Sequence, residues 1–249
     1  MTMGHLIERE ALTERAARYI ATCVAAKLNV IVAGGTASGK TSMLNALSAF
    51  IGDGERVVVI EDSKELQLQR DHVVALEARP GDAKGRGRVT IRDLFRTTLR
   101  MRPDRIVIGE IRGGEALDLI QAMTSGHGGA LTTLHATYPR DVLAGLETMA
   151  LMADVHLPHA ALRVKIASAV QLIVQVERLR DGSRRVTQVT EVNGYDLSAG
   201  QYLLKDVFVR SFEGLADGGR VRSELTRTRE PSSYAAPLRA RGYELEHER

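Results

Sequence analysis

Three observations predict an α/β protein with a mostly parallel sheet flanked by helices. The first is Gly34-Gly35-Thr36-Ala37-Ser38-Gly39-Lys40-Thr41, a full match to the phosphate-loop pattern G-x-x-x-x-G-K-[ST], set between an apolar run and an amphipathic one. The second is the alternation of short, continuously apolar runs with segments of helical periodicity, the pattern of parallel strands covered on both faces. The third is a change of character near residue 170, after which β-rich runs joined by turns predict an antiparallel extension of the sheet.

Composition narrows the class. A chain of 249 residues, 44% hydrophobic and 26% charged, is long enough for one large domain, or one domain plus a small appendage, and is ordinary for a soluble globular protein. Lys and Arg number 34 against 31 Asp and Glu, a net charge of +3. With aromatics at 4% and no tryptophan, little is available for base-stacking platforms, and no direct nucleic-acid partner is expected. The single Cys23 allows no intrachain disulfide and falls on an apolar helix face as a buried thiol. No apolar run reaches transmembrane length and the charged N-terminus lacks a signal-peptide core, so the expected compartment is the cytoplasm.

Residues 1–11 are polar and are expected to be a flexible N-terminus. Leu12, Ala16, Tyr19, Ile20 and Cys23 then recur at helical spacing, with Thr13 as N-cap and Glu14 favourable in the first turn. Asn29 to Ala33 is a buried strand leading into the phosphate loop, and Met43, Leu44, Leu47, Phe50 and Ile51 mark one face of the helix that follows. Glycines at Gly34, Gly35 and Gly39 let successive N–H groups turn toward phosphate oxygens. Lys40 would add a point charge at the β and γ phosphates, the Thr41 hydroxyl would ligate Mg²⁺, and the helix start would aim its positive end at the same anion.

Val57 to Ile60 is a second buried strand, ending at Glu61-Asp62, and Arg105 to Glu110 is another, ending in Glu110. In an open parallel sheet, ligand chemistry gathers at the carboxyl ends of strands. Two strand-end acids downstream of one phosphate loop suit metal-assisted phosphoanhydride hydrolysis, one holding the Mg²⁺ shell and one acting on the attacking water. Between them lie a short strand at 73–76, a glycine- and arginine-rich loop at 79–88, and a helix opened by the capping box Thr90-x-x-Asp93 and stopped before Pro103. Helices follow at 116–123, 137–149 and 157–168, with the strand Ala130 to Leu134 flanked by His127 and His135. The β-rich runs are 170–176, 185–192 and 202–212, with turns expected at Asp181-Gly182 and Asn193-Gly194. Residues 216–249 are poor in large apolar side chains and are expected to form a disordered tail beyond a main domain of 12–215.

Taken together, GGTASGKT, VVVIEDSKELQL, LRMRPDRIVIGEIRGGEALDLIQAM and SGHGGALTTLHA resemble, in content and order, the Walker A loop, Asp box, Walker B segment and His box of the hexameric ATPases of type II and type IV secretion and pilus machines. The wording is nearest the tight-adherence pilus branch, with the conjugation ATPases next. The resemblance covers about residues 12–212. It implies a RecA-like motor that hydrolyses ATP with Mg²⁺, works as a homo-oligomer, a hexamer in that family, and acts on an inner-membrane platform protein, to which it associates peripherally from the cytoplasm. Residue by residue, it implies nucleotide binding by Gly34 to Thr41 with Ser42, Arg112, His127 and His135. It implies Mg²⁺ held through Thr41, Glu61 and Glu110, and catalysis by Lys40, Glu61 and Glu110, without separating the two glutamates. Two departures accompany it. Family members carry a domain ahead of the motor that helps to close the nucleotide site, whereas the loop here begins at Gly34, so an isolated motor domain or a second chain is expected. Asp82 and Lys84 stand where the family has Asn and Glu. Two other readings share the fold: an assembly or regulatory subunit that binds nucleotide with little turnover, and a nucleic-acid translocase.

Overall fold

The computed structural model describes residues 1–153, 155 and 157–245. Its parallel strands are β1 (Val30–Gly34), β2 (Val57–Glu61), β3 (Val73–Glu77), β4 (Arg105–Ile108), β5 (Leu131–Leu134) and β6 (Leu172–Arg178). Three antiparallel strands continue the sheet: β7 (Arg184–Asp196), β8 (Gln201–Leu215) and β9 (Val221–Arg227). All nine form one sheet in the order β3-β2-β4-β5-β1-β6-β7-β8-β9.

Strand alternation sorts the helices onto two faces. Val30, Val32, Val57, Val59, Val107, Leu131 and Val174 point into a core shared with α1 (Met3–Glu8), α2 (Glu14–Ala25) and α3 (Lys40–Ser48). Ile31, Ala33, Val58, Ile60, Ile106, Ile108 and Ile173 point the other way. They meet α4 (Ile91–Thr98), α5 (Glu115–Thr124), α6 (Pro139–Leu151) and α7 (His159–Ala169). Each fully buried Val or Ile contributes about 1.5–3 kcal/mol, so β1, β2, β4 and β5, buried at every position, are secured on both faces, while the edge strand β3 is only half-buried. The caps fall where the spacing places them: Thr13 accepts from the Ala16 amide, Thr90 and Asp93 form a reciprocal box, and Pro139 is the first residue of α6.

An ion cluster built on the buried Arg105 ties the amino-terminal edges of the strands together. Arg105, with no exposed side-chain surface, donates to Glu55 from Nε at 2.9 Å and from a terminal nitrogen at 3.2 Å. Lys27 Nζ reaches the same carboxylate at 2.8 Å.

Three expectations are corrected. Residues 1–11 include α1, which Thr2 caps and whose Met3 and Leu6 are buried. Asn193-Gly194 is not a hairpin turn but an irregularity within β7, where the register with β8 shifts between Val192 and Tyr195 and Gly194 takes φ +131°. The chain reverses four residues later, in a turn organised by Asp196, whose carboxylate accepts the Ser198 and Ala199 amides. Within residues 216–249, β9 pairs along β8, and α8 (Ala235–Arg239) packs Leu238, 1% exposed, against the core. The segment is held by polar contacts as much as by burial. Tyr234 donates to the Val192 carbonyl, and the buried Glu191 accepts the Ser233 amide at 2.8 Å together with the hydroxyls of Ser232 and Tyr19. The last residues, 246–249, lie outside the described residues.

Candidate functional site

The carboxyl ends of β1, β2, β4 and β5 meet at one edge of the sheet and bring Lys40, Thr41, Glu61, Glu110, Arg112 and His135 together. They line a cavity of about 290 Å³ bounded by Lys40, Thr41, Glu61, Asp62, Ser63, Glu65, Gly109, Glu110, Arg112, Thr133 and His135.

The phosphate loop is shaped by packing. A Cβ on Gly34 would stand 2.2 Å from the Val176 carbonyl oxygen and 2.5 Å from Ser38 Oγ, so no other residue fits there. Gly39 and Ala37 have left-handed backbones, φ +100° and +57°. Gly35, Thr36 and Ala37 are exposed at the loop mouth; Ser38 is buried, and its hydroxyl makes no hydrogen bond among the described residues. Lys40 is 8% exposed, and its Nζ donates to the carbonyls of Gly34 at 3.1 Å and Gly35 at 3.0 Å. It also lies 3.2 Å from His135 Nε2. With Lys40 as donor, that nitrogen is the acceptor and the ring proton is on Nδ1. Burial lowers the Lys40 pKa, opposed by the negative charge of Glu110, while Arg112 adds to the lowering.

Glu110 is held from three sides. Gly109 extends the β2–β4 ladder through its amide to the Ile60 carbonyl, and Thr133 Oγ1 donates to the Gly109 carbonyl at 2.7 Å. The turn beyond is fixed by Glu115, whose Oε1 accepts the amides of Arg112 and Gly113. Arg112 Nε then donates to Glu110 Oε2 at 2.6 Å, which raises the Arg112 pKa. The other oxygen, Oε1, is buried and lies 2.9 Å from His135 Nε2 without forming a hydrogen bond to it. That oxygen therefore keeps its lone pairs for another donor.

Glu61 is built differently. It is 4% exposed, and its Oε1 accepts the amides of Glu65 at 3.0 Å and Leu66 at 2.9 Å, capping the bend after β2. Glu65 in turn accepts from Thr41 Oγ1 at 3.2 Å. His127 is not brought to the site: it precedes β5, and His135 follows it, so the strand separates them. Its Nδ1 is buried and makes no hydrogen bond among the described residues. Ser42 lies on the first turn of α3, facing a second cavity of about 750 Å³ on the outer flank of the loop. Met43, Val176, Gly182, Arg184 and Arg220 also line it.

A family model described as type II/IV secretion system protein matches residues 3–203. The chain belongs to this family. It is 42% identical over 179 residues to a putative conjugal transfer protein of Mycobacterium tuberculosis, covering 72% of this chain and 50% of that one. It is 39% identical over 175 residues to the type IV secretion system protein PtlH of Bordetella pertussis, covering 67% and 50%. The chain thus spans about half the length of these curated relatives. Among solved structures, it superposes on the VirB11 ATPase of the Brucella suis type IV secretion system, crystallised with sulphate, at TM-score 0.63 and 34% identity, covering 74% of this chain and 55% of that one. The pilus retraction motor PilT, at TM-score 0.56 and 17% identity over 95% of this chain and 56% of that one, shares the fold alone. The architecture is accordingly RecA-like, with the parallel sheet as its core and β7–β9 as an extension. No helix among the described residues is long and apolar enough to cross a membrane.

Two site residues of this secretion-family chain escaped the motif reading. Glu65 lies four residues beyond Glu61, and only the bend that Glu61 caps brings it to Thr41. Arg184 lies far along the chain in β7, yet its Nε donates to the Ala37 carbonyl at 3.0 Å.

Proposed function

We propose that the chain is an ATPase motor that binds MgATP at the phosphate loop and hydrolyses it, with Glu110 as the base. The observation that carries this reading is the Glu110 carboxylate. One oxygen is pinned by Arg112; the other, buried 2.9 Å from His135 Nε2, makes no hydrogen bond among the described residues, and the residue lines the cavity that Lys40, Thr41 and His135 share. A base must be oriented and must keep an acceptor for the water proton.

The glycine cradle and the buried Lys40 fit a polyphosphate. On binding, Lys40 exchanges the Gly34 and Gly35 carbonyls for phosphate oxygens, a change from neutral to charged acceptors that favours the bound state. Mg²⁺ supplies charge neutralisation at the β and γ phosphates when present, and it keeps several waters, so a single hydroxyl with one or two carboxylates suffices. Thr41 would hold it, with Glu65 and Glu61 around its waters. His135, released by Lys40, is placed beside the γ-phosphate and Glu110. The nucleoside would extend along the first turn of α3 toward the larger cavity, which Ser42 and Met43 line. Hydrolysis in a ring of copies, a hexamer by family resemblance, would move a platform protein at the cytoplasmic face of the membrane and drive secretion or pilus assembly. The matches to conjugal transfer and type IV secretion proteins support that role.

Calorimetric titration with MgATP tests the binding half. Wild type should bind, and Lys40→Ala should lose at least about tenfold in affinity, the value of one charge-assisted contact. Equal affinity in both would overturn the reading.

A further inference from the structure

Arg184 touches the phosphate loop from outside the residues that the motif defines. Besides its bond to the Ala37 carbonyl, its Cδ lies 3.1 Å from where a Cβ on Gly39 would stand. It therefore rests on the two loop residues whose backbones are left-handed, one of them a non-glycine. A trans peptide points its C=O and its N–H in opposite directions. Holding the Ala37 carbonyl outward consequently turns the Ser38 N–H inward, toward the space that the loop encloses. That amide now lies 3.4 Å from the Gly35 carbonyl, a long contact that a phosphate oxygen could replace.

The arginine is itself held by a stiff turn. Asp181 accepts the Ser183 amide at 2.9 Å and its hydroxyl at 2.6 Å, and its other oxygen accepts the Val221 amide at 2.8 Å, at the start of β9. Gly182 supplies the left-handed step, φ +82°. The next residue, Arg185, is buried and bonded to the Arg9 carbonyl and to Glu10 at 3.2 Å.

We propose that Arg184 is a positioning residue of the phosphate loop: through the Ala37 peptide it presents the Ser38 N–H to the bound phosphates, and it makes the β6–β7 turn part of the nucleotide site. The inference rests on the nucleotide reading above. When Lys40 leaves the Gly34 and Gly35 carbonyls for phosphate, those two tethers of the loop are lost and the Arg184 contact remains.

The experiment is calorimetric titration of wild type, Arg184→Ala, Arg184→Lys and Asp181→Asn with MgATP, MgADP and magnesium tripolyphosphate, with thermal melting of each. Arg184→Ala should weaken all three ligands by about tenfold, because the contact acts on phosphate common to them, at an unchanged melting temperature. Arg184→Lys keeps a donor and should remain within about threefold of wild type. Asp181→Asn keeps the guanidinium but loosens its turn, and should weaken tripolyphosphate in the same direction; it carries the test if the alanine variant does not fold. Unchanged tripolyphosphate affinity in Arg184→Ala, or in Asp181→Asn should the former not fold, overturns the inference while leaving wild-type nucleotide binding intact. So does a loss confined to ATP and ADP, which would place Arg184 on the nucleoside instead. If wild type binds none of the three, the nucleotide reading fails and this inference with it.

Discussion

Glu61 and Glu110 both end a buried run in acid, and the difference between them lies in what each oxygen touches. Glu61 caps two backbone amides, while Glu110 is pinned by an arginine at one oxygen and has the other buried beside His135. The spacing of apolar runs locates both at the carboxyl edge of the sheet but says nothing about the bend at 62–66 or the turn at 110–113, where amide geometry decides the outcome. The phosphate loop was legible because its chemistry is local, seven backbone steps with fixed glycine requirements. Arg184 and Glu65 were not, because their partners are set by tertiary contact. Another residue-scale device bears on stability. Burial raises the Glu55 pKa, but hydrogen bonds from Arg105 and Lys27 outweigh it and hold the carboxyl at about 2, below its ordinary 4.5. A depressed folded pKa contributes stability that is complete above the unfolded value and is lost as pH falls from there toward 2. Glu55→Gln should therefore cost about 3 kcal/mol at pH 7, since it leaves Arg105 buried without its anion, and the cost should shrink at pH 3. Urea unfolding at the two pH values measures both; an equal cost at each would contradict the assignment.

At the scale of elements, the strands and helices of the parallel half follow from period. The continuous apolar runs of β1, β2, β4 and β5 became strands buried on both faces, and capping residues marked three helix starts. The antiparallel half was less legible. Asn193-Gly194 carries the strongest short turn signal, yet Gly194 absorbs its positive φ as an irregularity inside β7, and an aspartate-organised turn reverses the chain instead. The C-terminal segment reads as disordered because it has few large apolar residues. Its order comes from ladder bonds to β8, the buried Leu225 and Leu238 and the carboxylate of Glu191, contacts invisible to composition. Truncation after Thr228 should cost about 3–5 kcal/mol, from an exposed Leu238 niche and a Glu191 left short of partners. An unchanged urea midpoint would show that the segment contributes nothing.

At the scale of the molecule, the strand order places β4 and β5 between β2 and β1, so the acids, His135 and the phosphate loop converge on one edge. The family match extends over residues 3–203, which includes β6 and β7, so the β6–β7 turn that supports the loop from outside lies within the family's own span. That convergence is what makes hydrolysis, beyond binding, the reading of choice. The most direct test is to measure MgATP affinity and phosphate release for wild type and Glu110→Gln side by side. The account predicts near wild-type affinity with turnover reduced about 10²- to 10⁴-fold, the usual loss on removing a general base. Equal turnover in the two proteins would contradict it.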